Sequence, residues 1–216
     1  MAKEKTLLMA NVVLVTDNVN PSMFNTAWFV KKEIFTLEEI NSDSIFVPGF
    51  TLLSSNECQI AIVPDQIQVK LMKVDNAEQC INNRIKRLFE CTNPYCKALG
   101  INFVWKISDK ETDICQFTHS IFGKEAEGIY SYFNKADSKL GAYFSQNYDD
   151  NIRLKLDMKP IEIQVEQSTE IENVILSSFN YHYIINQEKD DIETVSHQLD
   201  KWKELYEDSN RILCMI

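Results

Sequence analysis

The sequence predicts an α+β protein of two related lobes, in which mostly antiparallel strands form hairpins and helices pack against them. Three observations carry this. Short segments alternate apolar and polar side chains between turn residues, as in Ile67-Gln68-Val69-Lys70-Leu71. Two stretches, 77–91 and 192–206, place apolar residues at helical spacing. Finally, Gly100-Ile101-Asn102-Phe103-Val104-Trp105-Lys106-Ile107 is echoed by Ser178-Phe179-Asn180-Tyr181-His182-Tyr183-Ile184-Ile185. In both, an Asn precedes an aromatic, a second aromatic follows two residues later, and an Ile two after that. Ile67 to Leu71 is likewise mirrored by Ile152-Arg153-Leu154-Lys155-Leu156. The echo predicts an internal duplication, with lobes at 1–108 and 109–216 packed as one compact unit.

The elements follow in order. Leu7 to Val15 is apolar on both faces apart from Asn11, the pattern of a central strand in a sheet covered on both sides. Asp17 to Pro21 reads as a turn. Phe24 to Phe35 fits helix or strand, and Thr36-Leu37-Glu38-Glu39 carries a capping box. Ile45 to Leu53 is broken by Pro48-Gly49, which fits an edge strand or a bulge. Cys58 to Val63 and Gln66 to Val74 flank Pro64-Asp65 as a hairpin, with Ile60, Ile62, Ile67, Val69 and Leu71 toward one core.

Ile81, Ile85, Leu88 and Phe89 define one side of a helix that Asn93-Pro94 ends, and the first echo strand follows Gly100. Ser108-x-x-Glu111 is a capping box for a helix running to Phe122 through Ile114, Phe117 and Ile121. Lys139 to Ser145 and Asn151 to Met158 form a hairpin around Tyr148-Asp149-Asp150. The inward parity then switches to Ile161, Ile163 and Val165 across Lys159-Pro160, predicting a bulge. After the second echo strand, Val174 to Ile185, Asp190-x-x-Glu193 caps a helix whose face is Ile192, Val195, Leu199, Trp202 and Tyr206.

The net charge is −10, and it is unevenly placed. Residues 161–216 hold twelve acidic against four basic side chains, and residues 67–110 hold eight Lys/Arg against four Asp/Glu. The overall sign argues against direct nucleic-acid contact and against binding to an anionic membrane surface. The acidic and basic parts are complementary, within one molecule or between copies. No stretch is long and apolar enough to span a bilayer. Leu7 to Val15 follows Lys3 and Lys5, but Thr16 to Asn20 makes a poor signal cleavage site, so a buried strand is the better reading. Six cysteines at irregular spacing, with no CxxC, predict reduced and mostly buried thiols in a cytoplasmic protein.

Catalytic motifs are absent: there is no phosphate-binding glycine loop, no GxSxG, no HExxH and no kinase signature. Three histidines make acid–base proposals few. His197 falls opposite the apolar face of its helix. Cys115 and His119 lie four apart on one helix flank, where a thiol and an imidazole meet. His182 sits mid-strand beside Asn180 and Ile184, opposite Tyr181 and Tyr183. Phe103, Trp105, Tyr181 and Tyr183 share equivalent faces and read as core under a helix.

The function expected is therefore non-catalytic: a protein–protein interaction or assembly subunit of a cytoplasmic complex, with a protein partner or self-association and no cofactor or metal. Its docking surface is expected on the exposed acidic face of the last helix, at Glu193, Glu204 and Asp208. Two alternatives stand beside it. One is a hydrolase or transferase whose site, from Cys115, His119 and His182, is assembled between the lobes. The other is an acidic mimic that occupies a basic partner.

Overall fold

The computed structural model describes residues 4–17, 19–108, 112–123, 129–164, 171–186 and 191–216, the side chains of 129 and 130 excepted. Nine alternating segments become strands: β1 (Glu4–Asp17), β2 (Ile45–Val47), β3 (Phe50–Ser54), β4 (Cys58–Val63), β5 (Gln66–Leu71), β6 (Tyr95–Ser108), β7 (Ala142–Asn147), β8 (Ile152–Gln164) and β9 (Ile171–Ile184). They form one sheet in the order β2-β3-β4-β5-β1-β6-β9-β8-β7, and every neighbouring pair is antiparallel.

The helices are α1 (Thr26–Lys31), α2 (Ala77–Cys80), α3 (Lys86–Thr92), α4 (Ile114–Phe122), α5 (Ile129–Tyr132), α6 (Ile192–Gln198) and α7 (Trp202–Leu213). A π-helical stretch, Ile81–Ile85, joins α2 to α3, and Leu199–Lys201 joins α6 to α7. Asn93, left-handed at φ 39°, stops α3 just before Pro94.

The core is one-sided. Strand residues Val12, Leu14, Ile60, Ile62, Ile67, Val69, Ile101, Phe103, Leu154, Phe179, Tyr181 and Tyr183 all point to the same face. There they meet Phe29 of α1, Leu88 and Phe89 of α3, Phe117 of α4, Val195 of α6 and Trp202 and Leu205 of α7. From the central strands the alternate parity reaches this cluster only at Cys96 and Leu7, each beyond a register shift in the β1–β6 pair, so the second face of the sheet is open among the described residues. The expectation for β1 is corrected accordingly. It is central, but Val13 and Val15 are half-buried on the open face because no helix covers it.

The echo segments are β6 and β9, and they are immediate neighbours rather than equivalent strands of two copies. The match predicted between 58–107 and 139–185 fails, because β1 separates β5 from β6 whereas β8 and β9 are adjacent. Alternation with aromatics is what any strand on this buried face requires, so it does not identify counterparts. Strand order carries a different regularity. Outward from the central β1–β6 pair, one side runs β5-β4-β3-β2 and the other β9-β8-β7, and a helical run follows the last strand of each side, α2–α3 after β5 and α6–α7 after β9.

Local signals resolve as follows. Pro48-Gly49 is a two-residue turn between β2 and β3, with Gly49 supplying the φ of 82° that a side chain resists. The capping box at Thr36 forms, its backbone N–H donating to Glu39 Oε2 at 2.7 Å. The bulge expected at Lys159-Pro160 is absent: β8 pairs with β9 in unbroken register from Ile152 to Gln164. Ile161 and Ile163 therefore fall on the open face, and Pro160 is accommodated because β7 ends its pairing at Met158, leaving β8 an edge beyond that point. The caps expected from Glu111 and Asp190 involve positions outside the described residues. Asp113 caps α4 through Cys115 N–H, and Asp191 caps α6 through Thr194 N–H.

The charge asymmetry is partly resolved inside the molecule. Lys86 of α3 pairs with Asp200 at the α6–α7 junction, and Lys201 reaches Asp149 of the β7–β8 turn at 3.0 Å. Arg84, in the π-helical stretch, holds Glu39 at 2.6 Å and Glu57 at 3.1 Å. Among the described residues no helix is long and apolar enough to cross a membrane.

Candidate functional site

On the open face one row of polar residues crosses eight of the nine strands. In register, each opposite the next, stand Ser54, Gln59, Lys70, Asn11, Asn102, Asn180, Lys155 and Ser145. At its centre Asn180 Nδ2 donates to Asn102 Oδ1 at 2.5 Å and Asn102 Nδ2 donates to Asn11 Oδ1 at 2.6 Å. Asn11 is only 5% exposed. Gly100 lies against this chain of amides: a Cβ there would be in ordinary contact, 3.4 Å from Asn180 Nδ2 and 3.6 Å from Asn102 Nδ2. Three in-line amides satisfy one another and still offer donors and acceptors to whatever lies on the sheet.

The row is flanked by cations. Lys70 and Lys155 stand four strand spacings apart, about 19 Å at the usual inter-strand distance. Lys70 and Lys155 make no ion pair among the described residues, and Arg153 is held by Ser145 Oγ at 2.9 Å and Asn147 Oδ1 at 3.2 Å rather than by a carboxylate. By register, Lys70, Lys106, Arg153, Lys155 and Lys159 face outward here against Glu4, Asp157 and Glu172. Lys106 pairs with Glu172 at 2.9 Å and Lys159 with Asp157 at 2.5 Å. A chain of net charge −10 thus presents a mildly cationic sheet face. Toward β2 the same face becomes apolar, through Ile45, Val47, Phe50, Leu52 and Val63.

No family model matches this chain, and no curated protein is significantly similar to it. Its function has to be read from the geometry alone.

The residues expected to form an enzyme site are not brought together. Cys115 and His119 lie on α4, on the helical side, and His182 on the open side of the sheet. No hydrogen bond joins Cys115 to His119 among the described residues. Burial and the Asp113 carboxylate push the Cys115 thiol up, the opposite of what a nucleophile needs. His119 Nε2 is buried without a partner among the described residues. His182 stands between Gly100 and Arg153, and burial with the nearby Lys155 holds it below the ordinary imidazole value. Among the described residues no group of His, Cys, Asp and Glu is arranged to hold a metal.

The acidic docking residues divide. Glu193 is 81% exposed, and Glu204 is exposed, accepting from Tyr148 OH at 3.4 Å. Asp208 corrects the expectation of a wholly solvated face. It is 5% exposed, accepts from Tyr181 OH at 3.0 Å and pairs with Arg211. Its helical position lies between the apolar stripe and the acidic flank, and the fully buried hydroxyl of Tyr181 draws it inward. The amide row escaped sequence reading because its three members come from strands remote in sequence. Only the shared position of Asn102 and Asn180 within the echo hinted at it.

Proposed function

We propose that this protein is a non-catalytic binding or assembly protein that holds an acidic partner protein against its open sheet face. The observation that carries the reading is the one-sided core, which leaves a nine-stranded face with a central amide row, unpaired Lys70 and Lys155, and an apolar margin. Amides, a few cations and apolar side chains together are the chemistry of a protein–protein surface. Nucleic acid is less well served, because three cations free of carboxylates are few for releasing counterions and the rest of the chain is anionic. The six free cysteines agree with a reducing, cytoplasmic setting. The matching strand order on the two sides of β1–β6 supports an internal duplication, with its boundary before β6 rather than at 108.

A second reading keeps the exposed Glu193 and Glu204 as the docking surface for a basic partner. The mimic version of it is weakened because Asp191 caps a helix, Asp200 pairs with Lys86 and Asp208 is buried, which breaks up the acidic ridge.

The test compares three baits in an extract of the native source: wild type, Lys70→Glu/Lys155→Glu, and Glu193→Lys/Glu204→Lys. An acidic protein retained by the first and third and lost by the second supports the open face. Loss with the third alone transfers the function to the acidic helix. Saturable binding of mixed-sequence duplex DNA or single-stranded RNA in fluorescence anisotropy, abolished in the second variant, replaces a protein partner with a nucleic acid.

A further inference from the structure

Both ends of the sheet offer unpaired backbone, but unequally. β2 is three residues long. β7 is six residues long, is exposed along nearly its whole length, and among the described residues pairs through β8 alone. Edge strands usually carry a charge, a proline or a bulge that prevents addition of another strand. Ala142-Tyr143-Phe144-Ser145-Gln146-Asn147 has no charged residue and no proline, and its register with β8 is unbroken. Instead it displays Tyr143, 62% exposed, and Phe144, 53% exposed. On the helical side β7 borders a cavity of about 600 Å³, lined among others by Phe122, Phe144, Leu154, Leu156, Ile212 and Met215, with no Asp, Glu, Lys or Arg side chain. The side chains of a strand added to β7 would fall into it.

We propose that β7 is a self-association edge, where two copies of this chain pair antiparallel about a two-fold axis perpendicular to the sheet. In the central register Phe144 faces Phe144 of the other copy, Tyr143 faces Ser145 and Ala142 faces Gln146, and both helical layers lie on the same side. Three features select a second copy as the occupant. The edge is self-complementary: its centre is an aromatic that pairs favourably with itself across two strands. The contact carries no carboxylate side chain: the cavity lining has none, and the one charged side chain bonded to β7 among the described residues is the cation Arg153, on Ser145 and Asn147, so two chains of net charge −10 meet without bringing their acidic side chains together. The cavities of the two copies become one apolar seam, closing exposed surface that one chain alone leaves open. This surface is separate from the amide row, and the inference does not depend on the partner proposed for that face.

Sedimentation velocity over a concentration series tests it, with melting curves to confirm that each variant is folded. Wild type should move from monomer to dimer, and Phe144→Lys should weaken association at least tenfold at unchanged melting temperature, since Phe144 is more than half exposed. Directly opposed residues of an antiparallel pair lie about 4.5–5.5 Å apart at Cα, within disulfide range. Phe144→Cys in a Cys214→Ser background should therefore form a covalent dimer under oxidised glutathione, whereas Leu37→Cys, at a position elsewhere that is more exposed still, should not. A wild-type monomer at every concentration overturns the proposal. So does a dimer that persists in Phe144→Lys, or crosslinking no better at 144 than at 37.

Discussion

Asn102 and Asn180 face each other across β6 and β9, the Asn180 amide donating to Asn102 Oδ1 at 2.5 Å while Asn102 passes its own N–H to the buried Asn11. Removing the middle member strands both neighbours. Asn102→Ala should cost about 1–3 kcal/mol in urea unfolding, because Asn11 loses its donor where water hardly reaches. Gly100→Ala should be tolerated, its added Cβ making ordinary contacts, whereas Gly100→Val should displace the amides and lower stability. Equal stability of Asn102→Ala and wild type would show that the row is a surface feature with no part in holding the central strands.

Tyr181 and Asp208 couple the sheet to α7. Burial first, then the Asp208 carboxylate, push the Tyr181 hydroxyl above its ordinary value. Below about pH 10 both folded and unfolded chains keep that proton, and the contact contributes in full. Above it the unfolded chain ionises while folded Tyr181 stays protonated, so stability should fall as pH rises. Tyr181→Phe should cost about 1–3 kcal/mol at neutral pH and flatten the alkaline decline. Denaturant midpoints between pH 8 and 11 check it; an unchanged slope in Tyr181→Phe would assign the decline to other groups.

The same burial separates the acidic residues of the last helix. Glu193→Lys with Glu204→Lys should leave the melting temperature nearly unchanged, because exposed charges contribute little individually. Asp208→Lys should cost about 3–5 kcal/mol, since it sets a cation beside Arg211 and removes the acceptor of Tyr181. Thermal melts of the two variants distinguish the cases, and equal melting would mean that Asp208 is solvated after all.

What was legible in the sequence was local. Period-two alternation located β4, β5, β8 and β9, and a three–four spacing located the α2–α3 run, α4 and the α6–α7 run, because each element must bury one side; α1 fitted helix or strand, and α5 was not read. Hairpin pairing was legible, β4 with β5 and β7 with β8, from the turns between them; long-range pairing was not, since that β6 joins β1 on one edge and β9 on the other depends on contacts between residues far apart in the chain. For the same reason Asn11, Asn102 and Asn180 read as separate polar residues, one of them an exception within an apolar run. The parity switch after Lys159 was visible, but without the neighbouring strands it could not be told whether the backbone bulged or Ile161 and Ile163 simply faced outward.

The thiols should react in a fixed order. Cys214 is exposed and Cys91 half-buried, whereas Cys58, Cys80, Cys96 and Cys115 are buried. The expectation of mostly buried thiols thus holds for four of the six. Burial pushes Cys96 up to about 11, and a contact with Cys58 together with burial raises Cys80 further. An aromatic disulfide reagent at pH 8 should titrate Cys214 quickly and Cys91 slowly, and all six thiols only in denaturant. Rapid loss of four or more thiols from the folded protein would mean that the helical layer opens readily.

Trp202, the first residue of α7, is the clamp of the helical layer. It is buried, its ring 5.5 Å from Phe103 of β6 and stacked on Tyr206 at 5.4 Å, and Tyr206 in turn stacks on Trp105 at 5.5 Å. Truncation to alanine removes the middle of this aromatic chain and leaves a cavity, so Trp202→Ala should cost about 3–5 kcal/mol, a large share of the stability of a domain this size. Trp202 Nε1 is buried with no hydrogen-bond partner among the described residues, so the indole N–H contributes nothing that phenylalanine would lose. Trp202→Phe should therefore recover most of the deficit while changing only packing volume. Urea midpoints for the three proteins decide it: a phenylalanine variant as unstable as the alanine one would show that the indole is held by a polar contact, and that the clamp is more than aromatic packing.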